Sequence, residues 1–126
     1  MENTRQPVSF IATDNADEAK IFYADVLGLE LREASPFALV FVDGGHVLRV
    51  QIVSKLQTVE YTVHGWQVLD IARSIVELRS KGVHFQRFDQ LDQDALGVWT
   101  TPEGNKIAWF TDPSGNTLSL TEYARA

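Results

Sequence analysis

The side chains with the most chemistry to offer are His46, His64 and His84, the carboxylate of Glu60, and the indoles of Trp99 and Trp109. A glutamate withdrawn from water holds its proton more tightly and can serve as a general base. Histidine ligates metals and carries protons near neutral pH. Tryptophan offers a flat, polarisable face to planar or cationic ligands. The chain has no cysteine, which excludes thiolate metal sites, thiol nucleophiles and disulfides. Spacing does little for the histidines. His46 follows a glycine turn, His64 stands before Gly65 at an expected strand end, and the position two beyond His84 is Gln86 rather than a second ligand. Solvated loop histidines are the plainer reading of His46 and His64, whereas His84 is expected to point toward a ligand face.

These groups need elements to position them. The clearest is the stretch from Lys106 to Thr121. Residues 106–111 are apolar and aromatic, as a half-buried strand requires. Residues 112–116, Asp-Pro-Ser-Gly-Asn, are turn chemistry. Residues 117–121 then alternate, with Leu118 and Leu120 on one face and Ser119 and Thr121 on the other. Upstream, residues 8–12 alternate as a strand. Asn15 and Glu18 stand at capping-box spacing, and Ala19, Phe22, Tyr23, Val26 and Leu27 form one helical stripe that Gly28 ends. Strands are expected at 30–34, 37–42 and 47–52, with a hairpin turn at Asp43-Gly44-Gly45. The order then repeats. Residues 59–63 read as a strand, 68–78 as a helix ended by Gly82, and 83–88, 98–101, 106–111 and 117–121 as strands.

The bulk properties bound the function. A chain of 126 residues, 44% hydrophobic, has the size and apolar content of one ordinary domain. A net charge of -6 argues against nucleic acid as a partner. No apolar run approaches the roughly 20 residues of a bilayer-spanning helix, and residues 1–7 lack a signal-peptide core. A cytoplasmic protein with no membrane partner is expected.

Two motifs carry a family resemblance. Residues 22–29, Phe-Tyr-Ala-Asp-Val-Leu-Gly-Leu, follow a strand ending near Asp14, and residues 110–118 read Phe-Thr-Asp-Pro-Ser-Gly-Asn-Thr-Leu. They resemble the opening and closing signatures of the vicinal oxygen chelate superfamily, which comprises the glyoxalase I, bleomycin-resistance and extradiol dioxygenase proteins. The resemblance implies an α+β fold of two βαβββ modules in a single domain, module one at about 7–53 and module two at about 58–122. It implies a mostly antiparallel, cupped sheet with helices outside, often completed by homodimerisation. Metal-dependent members carry a ligand on the first strand of each module and carboxylates on the last strands. Counting places these at Pro7, Thr58 and Ser119, and near Arg49 or Gln51, none of them a strong donor for a divalent ion. No metal and no cofactor are therefore expected.

The concave face offers a pocket instead. With Val8, Phe10 and Ala12 toward the first helix, Ser9 and Ile11 face the concavity. The same phase assigns Glu60, Thr62, Ile107, Trp109, Ser119 and Thr121 to it, joined by Arg49, Gln51, Trp99 and His84. Glu60 is its single carboxylate, either a general base or the partner of Arg49 in a structural ion pair. Trp99 and Trp109 either stack a ligand or fill the interior. The leading expectation is a metal-free binding protein for a small planar or amphipathic molecule. The alternatives are a metal-dependent lyase, isomerase or dioxygenase with unconventional ligands, a metal-independent enzyme using Glu60, and a dimerisation module without ligand.

Overall fold

The computed structural model describes residues 2–125 and divides into two compact units, one ending at Gln57 and the other beginning at Thr58. Each has the order strand, helix, three strands. The protein is thus an α+β chain of two βαβββ modules. No helix among the described residues is long and apolar enough to cross a membrane.

In the first unit β1 (Val8–Thr13) leads to α1 (Ala16–Lys20), whose start is fixed by the Asn15 side chain accepting a hydrogen bond from Glu18 N at 3.1 Å. The continuous helix expected from the apolar stripe does not form. Residues Ile21–Val26 make a π-helical turn, closed by Leu27 N donating to Phe22 O at 2.9 Å. A π-turn advances less per residue than an α-helix, so the adjacent rings of Phe22 and Tyr23 can both reach the sheet. Both are buried, and Tyr23 lies 5.6 Å from Phe41 between ring centres. Gly28, with φ 77°, then turns the chain out. Strands β2 (Glu30–Ala34), β3 (Ala38–Asp43) and β4 (His46–Ile52) complete a sheet ordered β1-β4-β3-β2, with β1 parallel to β4.

The register corrects the face assigned to β1. Direct ladder partners share a face. Phe41, Leu48 and Ser9 form one row, and Leu39, Val50 and Ile11 the next. Tyr23 packs on this side, so Ser9 and Ile11 face the helix. Val8 and Phe10 are 47% and 56% exposed and lie on the opposite side, where Phe10 neighbours Arg49 and Ala12 neighbours Gln51. The alternation was read correctly and its phase inverted. A phenylalanine is expected inward, and here Ile11 and Thr13 take the buried positions.

The second unit comprises β5 (His64–Gln67), α2 (Ile71–Ser80), β6 (Trp99–Thr100), β7 (Lys106–Thr111) and β8 (Thr117–Glu122), ordered β5-β8-β7-β6 with β5 parallel to β8. Asp70 caps α2 by accepting from Arg73 N at 3.1 Å. Glu122 Oε1 also accepts from Ile71 N at 2.9 Å and so anchors the helix start to β8.

Two expected strands are absent. Residues 59–63 are irregular, and His64-Gly65, expected as a break, opens β5 instead. The alternation at 59–63 has no buried side: Tyr61 is 70% exposed and Val63 is also exposed. This strap is tied to β8 by Val63 N donating to Thr117 O (2.9 Å) and Thr117 Oγ1 to Val59 O (3.1 Å). Residues 83–88 form no ladder with the sheet beyond a single bridge between Phe85 and Phe110. The Gln93 carboxamide supplies what a neighbouring strand would. Its oxygen accepts from Phe88 N at 2.7 Å, and its nitrogen donates to Gln86 O at 3.0 Å and Gly97 O at 2.8 Å.

The β7–β8 turn is built on one buried carboxylate. Asp112 Oδ1 accepts from Ser114 N (3.0 Å) and Asn116 N (2.9 Å), and Oδ2 accepts from Asn116 Nδ2 (2.8 Å). Asp112→Ala strands these buried donors, and urea denaturation is expected to read a stability loss of about 2–4 kcal/mol; a loss under ~0.5 kcal/mol would contradict this role. A second tight point lies where β5 meets β8. A Cβ on Gly65 would fall 2.5 Å from Ser119 Oγ and 2.9 Å from Ser119 O. Gly65→Ala should therefore destabilise by about 1–3 kcal/mol. Ser119→Ala should restore only part of that loss, because the backbone oxygen remains in the way; full rescue in thermal melts would refute the clash.

Candidate functional site

The second sheet has one face turned to α2 and one turned away from it. Leu118, Leu120, Ala108 and Phe110 are buried on the first side. The other side is read directly from the ladder. Trp99, Ile107, Thr121 and Gln67 make one row. Trp109, Ser119 and Gly65 make the next, and Thr111 with Thr117 the third.

Aromatic rings gather on this face. The Trp99 and Trp109 ring centres are 6.3 Å apart with planes tilted by 30°, and Phe88 meets Trp109 edge to face at 5.4 Å. Trp109 Nε1 donates to Thr62 Oγ1 at 3.0 Å. With that N–H engaged by the strap, Trp109 offers a ligand its ring surface rather than a donor. Beyond it, the third row floors a groove of ≈ 730 Å³. Residues 58–60 line one part of this groove and residues 86–90 another.

The sequence-predicted residues are therefore divided. Thr62, Trp99, Trp109, Ser119 and Thr121 do meet in the second unit, together with Ile107. Arg49 and Gln51 share the helix-averted face of the first sheet. Ser9 and Ile11 lie on that sheet's helix side, where Ser9 Oγ and His46 Nε2 are 2.8 Å apart. His46 is thus half-buried and hydrogen-bonded rather than a solvated loop residue. His64 also differs from its loop reading: it is half-buried and packs edge to face on Trp66, with ring centres 4.7 Å apart. His84 is exposed beside a separate ≈ 150 Å³ cavity with Arg79, Phe85 and Leu96, away from the aromatic face. Glu60 is exposed on the strap and lines the groove, so the burial on which a general-base role depended is missing. Phe88, Thr111 and Thr117 were missed. The phase of 106–111 already put Thr111 beside Trp109, but Phe88 reaches the face from irregular chain rather than from the strand expected at 83–88.

The positions counted for metal ligands lie in different settings. Pro7 precedes β1 and Thr58 lies on the strap. The first-strand neighbour of Ser119 is Gly65, and its counterpart in the first unit is Phe10 beside Arg49. Asn15 and Asp70, the two helix caps, follow Phe10 and Gly65 at the same distance along the chain. A phenyl ring, a guanidinium, a missing side chain and one hydroxyl do not fit a divalent cation. Among the described residues, no three His, Asp or Glu side chains group closely enough to hold one.

Comparisons with known proteins agree with this architecture. A glyoxalase family protein from Bacillus anthracis is 20% identical, with a TM-score of 0.71 over 98% of this chain and 100% of that one. A lactoylglutathione lyase from Agrobacterium tumefaciens is 18% identical, with a TM-score of 0.73 over 97% and 96%. TnmS3, an antibiotic binding protein from Streptomyces sp. CB03234, is 18% identical, with a TM-score of 0.70 over 98% and 99%. These likenesses establish the fold alone. No curated protein sequence matches. Residues 6–120 match the family model of the Glyoxalase/Bleomycin resistance protein/Dioxygenase superfamily, and with both modules and their strand order in place, the chain belongs to that superfamily.

Proposed function

We propose that this chain is a small-molecule binding protein of its superfamily, taking a planar or amphipathic ligand against the aromatic face of the second sheet without a metal ion. The observation that carries the reading is the pair Trp99–Trp109, half-buried and backed by Phe88, on the face where Ser119 stands at a position counted for a metal-type donor. Apolar walls with a few convergent hydroxyls, here Thr62, Ser119 and Thr121, are the ordinary make-up of a small-molecule site. TnmS3, of similar fold, is an antibiotic binding protein, which supports small-molecule binding as a role for this architecture. The reading includes a homodimer and a cytoplasmic location, and sedimentation velocity would test the first.

Tryptophan fluorescence titrated with flat aromatic compounds tests the proposal. Saturable quenching is expected without added metal, and unchanged when manganese, nickel, zinc or iron(II) is present. Trp109→Leu should weaken binding about tenfold, since a lost ring contact is worth about 0.5–1.5 kcal/mol beyond the apolar area it buries. Metal-dependent quenching, or turnover of a substrate only with metal, would move the protein to the enzyme reading.

A further inference from the structure

The groove beside the aromatic face differs from it in chemistry. Its floor, Thr111 and Thr117, is the ladder row next to Trp109 and Ser119, so groove and aromatic face are consecutive parts of one sheet surface. Same-face rows in a strand are about 7 Å apart, the scale of one ring of a ligand. Phe88 belongs to both: it lines the groove and meets Trp109 at 5.4 Å.

The rest of the lining selects the occupant. Glu60 and Asp89 bring two carboxylates to the groove. The guanidinium of Arg87 is committed elsewhere, donating to Asp94 O at 2.7 Å and Ala95 O at 2.9 Å. With the carboxylates of Glu60 and Asp89 against the single guanidinium of Arg87, the lining is net negative and disfavours an anionic group. A wholly apolar group would strip water from the carboxylates and from the amides of Gln86 and Gln90 without replacing their hydrogen bonds, which is costly. A bare ammonium would use the carboxylates and the amide oxygens but offer no acceptor to the amide N–H groups. A group bearing several uncharged hydroxyls can donate to Glu60 and Asp89 and both donate to and accept from the glutamine amides. Its C–H surface can lie on Phe88. At ≈ 730 Å³ the groove has ample room for it.

We infer that the ligand is a glycosylated planar aromatic compound, its ring system on Trp99 and Trp109 and its sugar in the groove between residues 58–60 and 86–90. This rests on the proposed small-molecule binding function and names the class of ligand for it.

Calorimetry with three flat phenols (4-methylumbelliferone, 1-naphthol and quercetin), each paired with its β-D-glucoside, tests the inference on the full chain. Each glucoside is expected to bind about tenfold or more tighter than its parent phenol. Glu60→Ala with Gln90→Ala, both in exposed irregular chain, should cut that advantage to under threefold, with circular dichroism confirming the fold. Trp109→Leu should weaken both members of every pair. Equal or weaker binding of the glucosides, with the phenols still bound, would overturn the sugar assignment and leave the binding function standing. An advantage that survives the double substitution would remove the sugar from the groove and overturn the inference. No binding by any of the six compounds would overturn both.

Discussion

The buried Asp112 carboxylate is the constraint on which the candidate site depends. It gathers the amides of Ser114 and Asn116 and the Asn116 side chain into one turn, and Gly115, at φ 92°, lets the chain reverse there. That turn sets the pairing of β7 with β8. A one-residue slip would carry Trp109, Thr111, Thr117 and Ser119 to the helix side and bring Phe110 and Leu118 out. The composition of the site is thus fixed by hydrogen bonds in the turn that adjoins it. Because β8 also pairs with β5, the same turn aligns Gly65 with Ser119 and positions the carboxylate of Glu122 to hold the start of α2.

The two units share a plan and diverge where a ligand would meet them. In both, the first strand lies parallel to the last, a side-chain cap opens the helix, and a glycine closes it. In the first unit the helix-averted face carries Phe10 and Arg49 at the rows where the second carries Gly65 and Ser119. Neither pair offers a carboxylate or an imidazole to a divalent ion. Reversing this in the second unit would take more than one change. Any side chain at Gly65 collides with Ser119, including its backbone oxygen, so a donor there requires the strands to move apart. The glycine thus excludes a side chain at that one point of β5 on steric grounds.

Where local signals agreed with long-range pairing, the sequence was a sufficient guide. The Asp112–Asn116 turn, the Asn15 cap and the Gly44–Gly45 hairpin all behave as their residue types dictate. The phase of 106–111 and 117–121 placed Trp109, Ser119 and Thr121 together because those strands have one strongly apolar side. Residues 8–12 failed because both faces carry apolar residues, and only pairing with β4 decides between them. Residues 59–63 and 83–88 failed for a different reason. Their alternation was genuine, but their backbone groups bond instead to β8 and to the side chain of Gln93. A glutamine standing in for a strand cannot be read from periodicity, and with it went the location of Phe88 and of the groove.

The strap bears directly on selectivity. Thr62 occupies the Trp109 N–H, so the indole cannot reward a ligand with a hydrogen bond and discriminates by flatness alone. Stacking of this kind tolerates many ring systems, because every planar ring has a face to offer. A site built only of Trp99, Trp109 and Phe88 would therefore be promiscuous. Discrimination has to come from polar groups at its edge, since a hydrogen-bonding site rejects a partner that leaves its donors and acceptors unpaired far more strongly than an apolar wall rejects a change of shape. Those groups lie on residues 58–60 and 86–90, the two segments that did not become strands. The departure of both segments from the expected ladder sets polar side chains around one end of the aromatic face.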